Sequence, residues 1–306
     1  MKVQNAKLSD LKKLNAHGVT KSDYSLKPFT TFRIGGNTKF YLEIKTLENF
    51  IKVMMYLKTK SDEVFVIGGG SNVLISDKGF GGITIKLAGD FDRIIAFDDV
   101  IEMGAGVKIS QALKFCADES LAGFEDAIGI PGTIGGATYM NASAHNFQMK
   151  NIIDYVVAYD FKKIIFLNGK DCNFGYRDSI FQHGKYIILR VGFKLTHTDK
   201  SIILARQKQV LKLRLDSQPK GLSAGSVFKN QDGICVSRML DEMGAKGMQA
   251  NDAIVSTKHA NFILNTGNAK SEDVATLINL LKDKFYKYYG INLETEIKYI
   301  GDFEWT

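Results

Sequence analysis

Two short stretches hold the residue types best suited to chemistry. Phe65-Val66-Ile67-Gly68-Gly69-Gly70-Ser71-Asn72-Val73-Leu74-Ile75 sets three glycines and a Ser-Asn pair between two apolar runs. Consecutive glycines cost backbone entropy, so a fold keeps them where Cβ atoms would obstruct a close approach. The bare N–H groups of such a loop can cradle a phosphate. A hairpin turn with surplus glycine is the plainer alternative. Gly129-Ile130-Pro131-Gly132-Thr133-Ile134-Gly135-Gly136-Ala137 has a similar composition and leads into a predicted helix. Two such turns suit a ligand with two phosphates, gripped from both sides. Neither matches G-x-x-x-x-G-K-[ST] or G-x-G-x-x-G, so a dinucleotide bound here would use a different scaffold.

Composition narrows the classes of function. The 306 residues are 45% hydrophobic and 24% charged, ordinary values for a globular chain of two or three compact units. No apolar run approaches the ~20 residues of a membrane span. Met1-Lys2-Val3-Gln4-Asn5-Ala6-Lys7 has no apolar signal core behind it, which argues for the cytoplasm. Cys116, Cys172 and Cys235 are far apart and odd in number, and the five histidines lack ligand spacing, so neither a disulfide framework nor a metal is expected. The net charge is +7, yet the lysines are scattered. That reads as a basic surface rather than a nucleic-acid interface, although a basic cleft would attract small phosphorylated substrates.

The elements that must position these stretches follow from periodicity and punctuation. Helices are predicted over 5–17, 46–60, 108–120, 198–215, 234–243 and 271–289, with Gly18, Gly244 and Gly290 as stops. The helix over 198–215 reads as amphipathic and rich in Lys and Arg. Strands are predicted over 30–34, 65–67, 73–75 and 83–87, twice within 93–103, as a hairpin over 155–167, and over 186–195, 254–256, 262–264 and 291–300. The order strand, helix, strand, strand marks a mixed α+β unit. A composition shift puts a boundary near 196. The expected organisation is an N-terminal helical segment 1–27, a domain 28–195 with lobes 28–90 and 91–195, and a smaller domain 196–306.

Seven segments in order carry a resemblance. They are T-T-F-R-I-G-G at 30–36, I-G-G-G-S-N-V-L at 67–74, I-P-G-T-I-G-G-A at 130–137, G-Y-R-D-S-I-F at 175–181, S-A-G-S-V-F-K-N at 223–230, K-H-A-N-F-I-L-N at 258–265 and L-E-T-E-I at 293–297. The chain resembles the UDP-N-acetylenolpyruvoylglucosamine reductase family, in its shorter form, over nearly its whole length. The resemblance implies an α+β fold: a two-lobed FAD-binding domain of the vanillyl-alcohol-oxidase type and a smaller α+β substrate-binding domain. It implies non-covalent FAD beside Thr31, Arg33, Gly35, Gly68, Gly69, Gly70, Ser71, Asn72, Pro131, Gly132, Thr133, Gly135 and Gly136. It also implies NADPH as the hydride donor and a UDP-sugar enolpyruvyl ether as the acceptor. A monomer without nucleic-acid or membrane partners is expected.

By the same resemblance Ser226 gives a proton, Arg177 pairs with the substrate carboxylate and Glu296 sits beside the reacting carbons. The plainer readings are a turn hydroxyl, a surface ion pair with Asp178 and simple solvent exposure. Tyr155, Arg214, Lys220, Lys229 and Asn230 are implied at the sugar nucleotide. His259 is either a substrate contact or a satisfied structural histidine. Ser143, His145, Gln231 and Asn251 depart from the family pattern and put substrate affinity in question. Two other functions compete: a flavoprotein oxidase of small alcohols or lactones, independent of Ser226, and a colourless UDP-sugar-binding protein without turnover.

Overall fold

Helices form where apolar residues recur at three and four positions and a polar group closes the first turn. In Leu47–Leu57, Thr46 Oγ1 accepts from Asn49 N (3.2 Å), and Phe50, Val53, Met54 and Leu57 are buried. Thr46→Ala removes that acceptor. The expected loss is ~1 kcal/mol of stability, read as a lower urea midpoint with an unchanged slope. Ser271–Tyr289 has the predicted bounds and stops at Gly290, whose φ of +68° suits a residue without Cβ.

The computed structural model describes residues 4–97, 100–144, 147–231 and 233–303. The first three residues of the expected N-terminal segment, the turn of the strand pair predicted in 93–103, and the departure at His145 lie outside the described residues. Contacts divide the chain into two compact units. The first holds 1–22, 40–69 and 82–213, and the second holds 23–39, 70–81 and 214–306. Both contain helices and strands, so the fold is α+β.

In the first unit a five-stranded sheet runs in the order Ile164–Asn168, Ile153–Tyr159, Ile187–Lys194, Val100–Gly104, Ile94–Phe97, with every neighbour antiparallel. The hairpin expected over 155–167 is there. A second sheet orders Val19–Ser25, Asn37–Ile44, Phe80–Leu87 and Val64–Val66. The core includes Phe50, Ile83, Ile85, Met103, Leu113, Val156, Val191 and Phe193. Burial pushes the thiols of Cys116 and Cys172 up to about 12, as inert core residues.

The second unit packs Phe32, Ile34 and Leu74 with Val227, Phe228, Leu240, Val255, Leu277, Ile278, Leu281 and Ile297. One alternative is excluded and two expectations are corrected. The runs flanking the triple glycine do not pair as a hairpin. Val64–Val66 lies parallel to Phe80–Leu87, and Val73–Ile75 lies parallel to Lys298–Ile300. Residues 30–34 form no strand. Thr30 Oγ1 accepts from Ile34 N (3.2 Å), and Arg33 has a φ of +56°, so a side chain replaces ladder bonds. The closing strand shortens to Lys298–Ile300 because the chain before it serves another partner: Phe228 bridges Thr295 and Lys229 N donates to Glu294 O (2.9 Å).

These pairings also make the units discontinuous, where contiguous domains 28–195 and 196–306 were expected. The strand after the triple glycine pairs near residue 300, and helix Lys200–Ser217 keeps Arg206 on Asp126 (2.5 Å), beyond the expected boundary. That helix also departs from a simple amphipathic pattern, with Ile203 and Val210 buried but Ile202, Leu204, Leu211 and Leu213 exposed. Among the described residues no helix is long and apolar enough to cross a membrane.

Candidate active site

The two glycine stretches meet. Ile67 N donates to Ile85 O (2.9 Å), which extends the strand by one residue and delivers Gly68 and Gly69. The other stretch is fixed by Ile109 N to Gly132 O (3.1 Å), Ile134 N to Val107 O (2.8 Å) and Gly135 N to Ala105 O (2.9 Å). Thr133 Oγ1 accepts from Gly136 N (3.3 Å) and caps Ile134–Tyr139. A Cβ on Gly68 would lie 2.7 Å from Thr133 Oγ1, and one on Gly69 only 2.5 Å from Gly132 Cα. One on Gly135 would lie 2.8 Å from Ala105 Cβ. Glycine is required for this contact, and the result is a cradle lined by backbone. Such a surface fits the pyrophosphate of a dinucleotide, with Gly136 and Pro131 exposed beside it.

The second unit holds the other residues expected at the cofactor. Gly70 has a φ of +59°, and a Cβ there would strike Phe29 O at 2.0 Å. Thr31 donates to Gly70 O from its N (3.1 Å) and its Oγ1 (3.3 Å). Gly35 has a φ of +139° and passes against Ile75. Arg33 Nη1 donates to Pro28 O. Asn72 Nδ2 donates to Glu296 O (3.2 Å), and Lys298 N donates to Asn72 O (2.9 Å). Ser71 is half-buried.

Ser226 follows Gly225, whose φ is +77°, and its segment is pinned on two sides. Ser226 bridges Phe262, and Val227 N donates to Asn261 O (2.9 Å). On the other side Glu296 N donates to Val227 O (2.7 Å). The buried Asn261 holds the strand itself: its Oδ1 accepts from Phe228 N (2.9 Å) and its Nδ2 donates to Phe228 O (2.8 Å). Ser226 and Glu296, 70 positions apart in sequence, are thus brought onto neighbouring backbone, both half-buried.

Arg177 belongs to the first unit. It turns through a φ of +54°, and its Nη1 donates to Ser143 O (2.9 Å) and Ser143 Oγ (2.5 Å). Its guanidinium lies 5.5 Å from the Tyr176 ring centroid. Asp178 reaches His183 Nε2 (2.7 Å). Ser143, singled out in the sequence only as a departure, is the residue that orients the arginine.

The residues expected at the sugar nucleotide divide. Tyr155 OH donates to Glu102 Oε2 (2.9 Å), its ring stacks on Phe166 at 4.6 Å, and Glu102 pairs with Arg190 (3.2 Å). Burial, followed by the bond to Glu102, pushes this phenol up to about 12, so it stays a donor. Lys229 Nζ pairs with Glu294. Asn230 Oδ1 accepts from Val236 N (3.1 Å), which ties it to helix Val236–Glu242. Arg214 is buried, and burial lowers its pKa, whereas Lys220 is exposed. His259 Nδ1 accepts from Asn261 N (3.3 Å), its ring stands edge-on to Phe262 and burial lowers its pKa. These contacts support the structural reading of His259. Gln231 Nε2 donates to Asn292 O (2.8 Å), and Asn251 adopts a φ of +48° and donates to Asp273 Oδ1 (2.7 Å).

Sequence reasoning missed Asn261, Glu102, Arg190 and the part played by Ser143. Asn261 lay inside a quoted motif, where the neighbouring histidine drew attention. Glu102 had a usable signal, a lone carboxylate in the apolar run Val100-Ile101-Glu102-Met103.

Comparison with known proteins bears on the family of the chain. Residues 218–300 match the C-terminal domain of UDP-N-acetylenolpyruvoylglucosamine reductase, and residues 38–162 match an FAD-binding domain. A protein of Thermosipho melanesiensis named UDP-N-acetylenolpyruvoylglucosamine reductase is 40% identical over 279 residues, covering 89% of this chain and 93% of that one. One of Caldicellulosiruptor saccharolyticus with the same name is 36% identical, covering 96% and 95%. The crystal structure of the reductase from Thermus caldophilus superimposes with a TM-score of 0.80 at 31% identity, covering 92% and 98%.

Proposed function

Because this chain belongs to the UDP-N-acetylenolpyruvoylglucosamine reductase family, we propose that NADPH is its reductant and that Ser226 is its proton donor. The family assignment makes the protein an FAD-dependent oxidoreductase that reduces the enolpyruvyl ether of UDP-N-acetylglucosamine in peptidoglycan precursor synthesis. FAD, held by this chain, would supply hydride transfer between NADPH and the terminal carbon of that ether. The backbone cradle of Gly68, Gly69, Gly132, Thr133, Gly135 and Gly136 holds the cofactor pyrophosphate without a covalent bond. Thr31, Arg33, Gly35, Gly70, Ser71, Asn72 and Pro131 remain its candidate neighbours.

Hydride addition leaves negative charge on the adjacent carbon and the carboxylate. Arg177 meets that carboxylate with its planar fork, aimed by Ser143. Ser226 gives its hydroxyl proton to the adjacent carbon. The hydroxyl is a weak acid, but an enolate carbon is a strong base, so placement decides the transfer. Glu296, across from Val227, polarises the intermediate. Tyr155, Arg214, Lys220, Lys229 and Asn230 attend the sugar nucleotide, with the cations suited to its phosphates. The enzyme works as a cytoplasmic monomer.

The observation that carries this reading is the two-sided pinning of the Ser226 segment, which sets the hydroxyl and Glu296 on adjacent backbone. The test is visible absorption of the purified protein under anaerobic conditions. A flavin band that bleaches with NADPH and returns with the enolpyruvyl UDP-sugar is expected. A band that bleaches and does not return removes the substrate assignment, and a protein that takes up no FAD removes the cradle.

A further inference from the structure

The extended segment that follows Ser226 has backbone neighbours on both sides. On one side Phe228 bridges Thr295, with Glu296 N donating to Val227 O (2.7 Å) and Lys229 N donating to Glu294 O (2.9 Å). In that antiparallel pattern the N–H and C=O of Phe228 face away from Thr295. On the other side Ser226 bridges Phe262, and Val227 N donates to Asn261 O (2.9 Å). There the neighbouring backbone stops. Phe262 N donates to His259 O (3.0 Å), so the chain before Asn261 turns away instead of running on beside Phe228.

Phe228 is buried, so both of its backbone groups need partners. The Asn261 side chain supplies them. Its Oδ1 accepts from Phe228 N (2.9 Å), and its Nδ2 donates to Phe228 O (2.8 Å). One amide side chain thus prolongs the ladder by a residue where backbone cannot. Asn261 is itself held, because it is buried and its N donates to His259 Nδ1 (3.3 Å). Three bonds from Asn261 therefore land on the two positions that follow Ser226. Successive side chains of an extended segment point to opposite faces, so a twist or slip at Val227 and Phe228 re-aims the serine hydroxyl. Val227 O also accepts from Glu296 N, so the same slip would displace Glu296. We propose that Asn261 is a positioning residue for proton delivery, whose side-chain amide fixes the segment at Phe228 and thereby aims the Ser226 hydroxyl. The inference rests on the reading of Ser226 as the proton donor.

The test is a double-mutant cycle on the FAD-loaded full chain, followed by stopped-flow absorbance of the flavin. In Asn261→Ala the return of the band with the enolpyruvyl UDP-sugar is expected to slow by ~10–100-fold, while bleaching by NADPH stays within about twofold of the parent. Added to Ser226→Ala, the same substitution is expected to slow the return by less than about twofold more, because the group it aims is gone. Asn261→Asp keeps the shape of the side chain but replaces its donor with an oxygen facing Phe228 O, and it should show the same coupling to Ser226→Ala. It carries the cycle if Asn261→Ala does not fold. A support of the fold alone would lower the thermal midpoint without this coupling. The proposal is overturned if Asn261→Ala slows the return equally with and without Ser226, if it slows bleaching and return alike, or if both Asn261 variants lose flavin. In those cases a slow return in Ser226→Ala alone still upholds the serine as donor. An unchanged return in Ser226→Ala removes the donor reading, and this proposal with it.

Discussion

In a Ser226→Ala enzyme, the return of oxidised-flavin absorbance on adding the enolpyruvyl UDP-sugar is expected to slow by ~10²–10⁴-fold, while bleaching by NADPH keeps its rate. The asymmetry follows from where the proton is needed. In the proposed reaction only the half-reaction that forms the lactyl ether adds a proton to carbon. The substitution removes one hydroxyl and leaves the scaffold alone. The segment's backbone is held by Phe262, by Asn261 and by Glu296 N on Val227 O (2.7 Å), none of which depends on the serine side chain. Stopped-flow absorbance at the flavin maximum separates the two phases. An equal fall in both would show that Ser226 shapes the loop and does not donate the proton.

Gly69→Ala should give a protein that loses flavin. The new methyl would sit 2.5 Å from Gly132 Cα, and backbone cannot swing aside as a flexible side chain can. Forcing the stretches apart is expected to cost about 1–3 kcal/mol and to widen the cradle that the pyrophosphate needs. Bound flavin per chain and the thermal midpoint should therefore fall together, with excess FAD restoring part of the midpoint by mass action. Gly81→Ala is the control, because its Cβ meets nothing within 4 Å. An alanine at Gly69 that retained full flavin and stability would mean that the contact between the two stretches is not essential.

How much of this was legible depended on range along the chain. Helix Ser271–Tyr289 could be read to the residue, because nineteen positions of apolar period end in a glycine that permits a positive φ. The hairpin joining Ile153–Tyr159 to Ile164–Asn168 was legible for the same local reason. The strand expected over 30–34 failed because alternation in Thr-Thr-Phe-Arg-Ile is also compatible with a turn in which Thr30 Oγ1 replaces a ladder partner. The hairpin reading of the triple glycine failed because each flanking strand takes a parallel partner, one of them far away in sequence. At the site, a link between the two glycine stretches was legible in their shared composition, and the stretches do lie against each other. The supports were not. Nothing in the local sequence says that Ser143 will hold Arg177, or that Asn261 will satisfy both backbone groups of Phe228.

The parallel pairing of Val73–Ile75 with Lys298–Ile300 sets a timetable for synthesis. Ser76 Oγ donates to Asp302 O across 226 positions of chain. At ~5–20 residues per second a ribosome takes roughly 10–45 s to cover that distance. All residues of the first unit have been translated by residue 213, but the segments 23–39 and 70–81 must wait for the last stretch of the second. Until then Leu74 and Ile75 form an uncovered strand with no neighbour, the state most open to pairing with another chain. The order of genetic letters therefore leaves that strand without its partner while 226 of the 306 positions are translated.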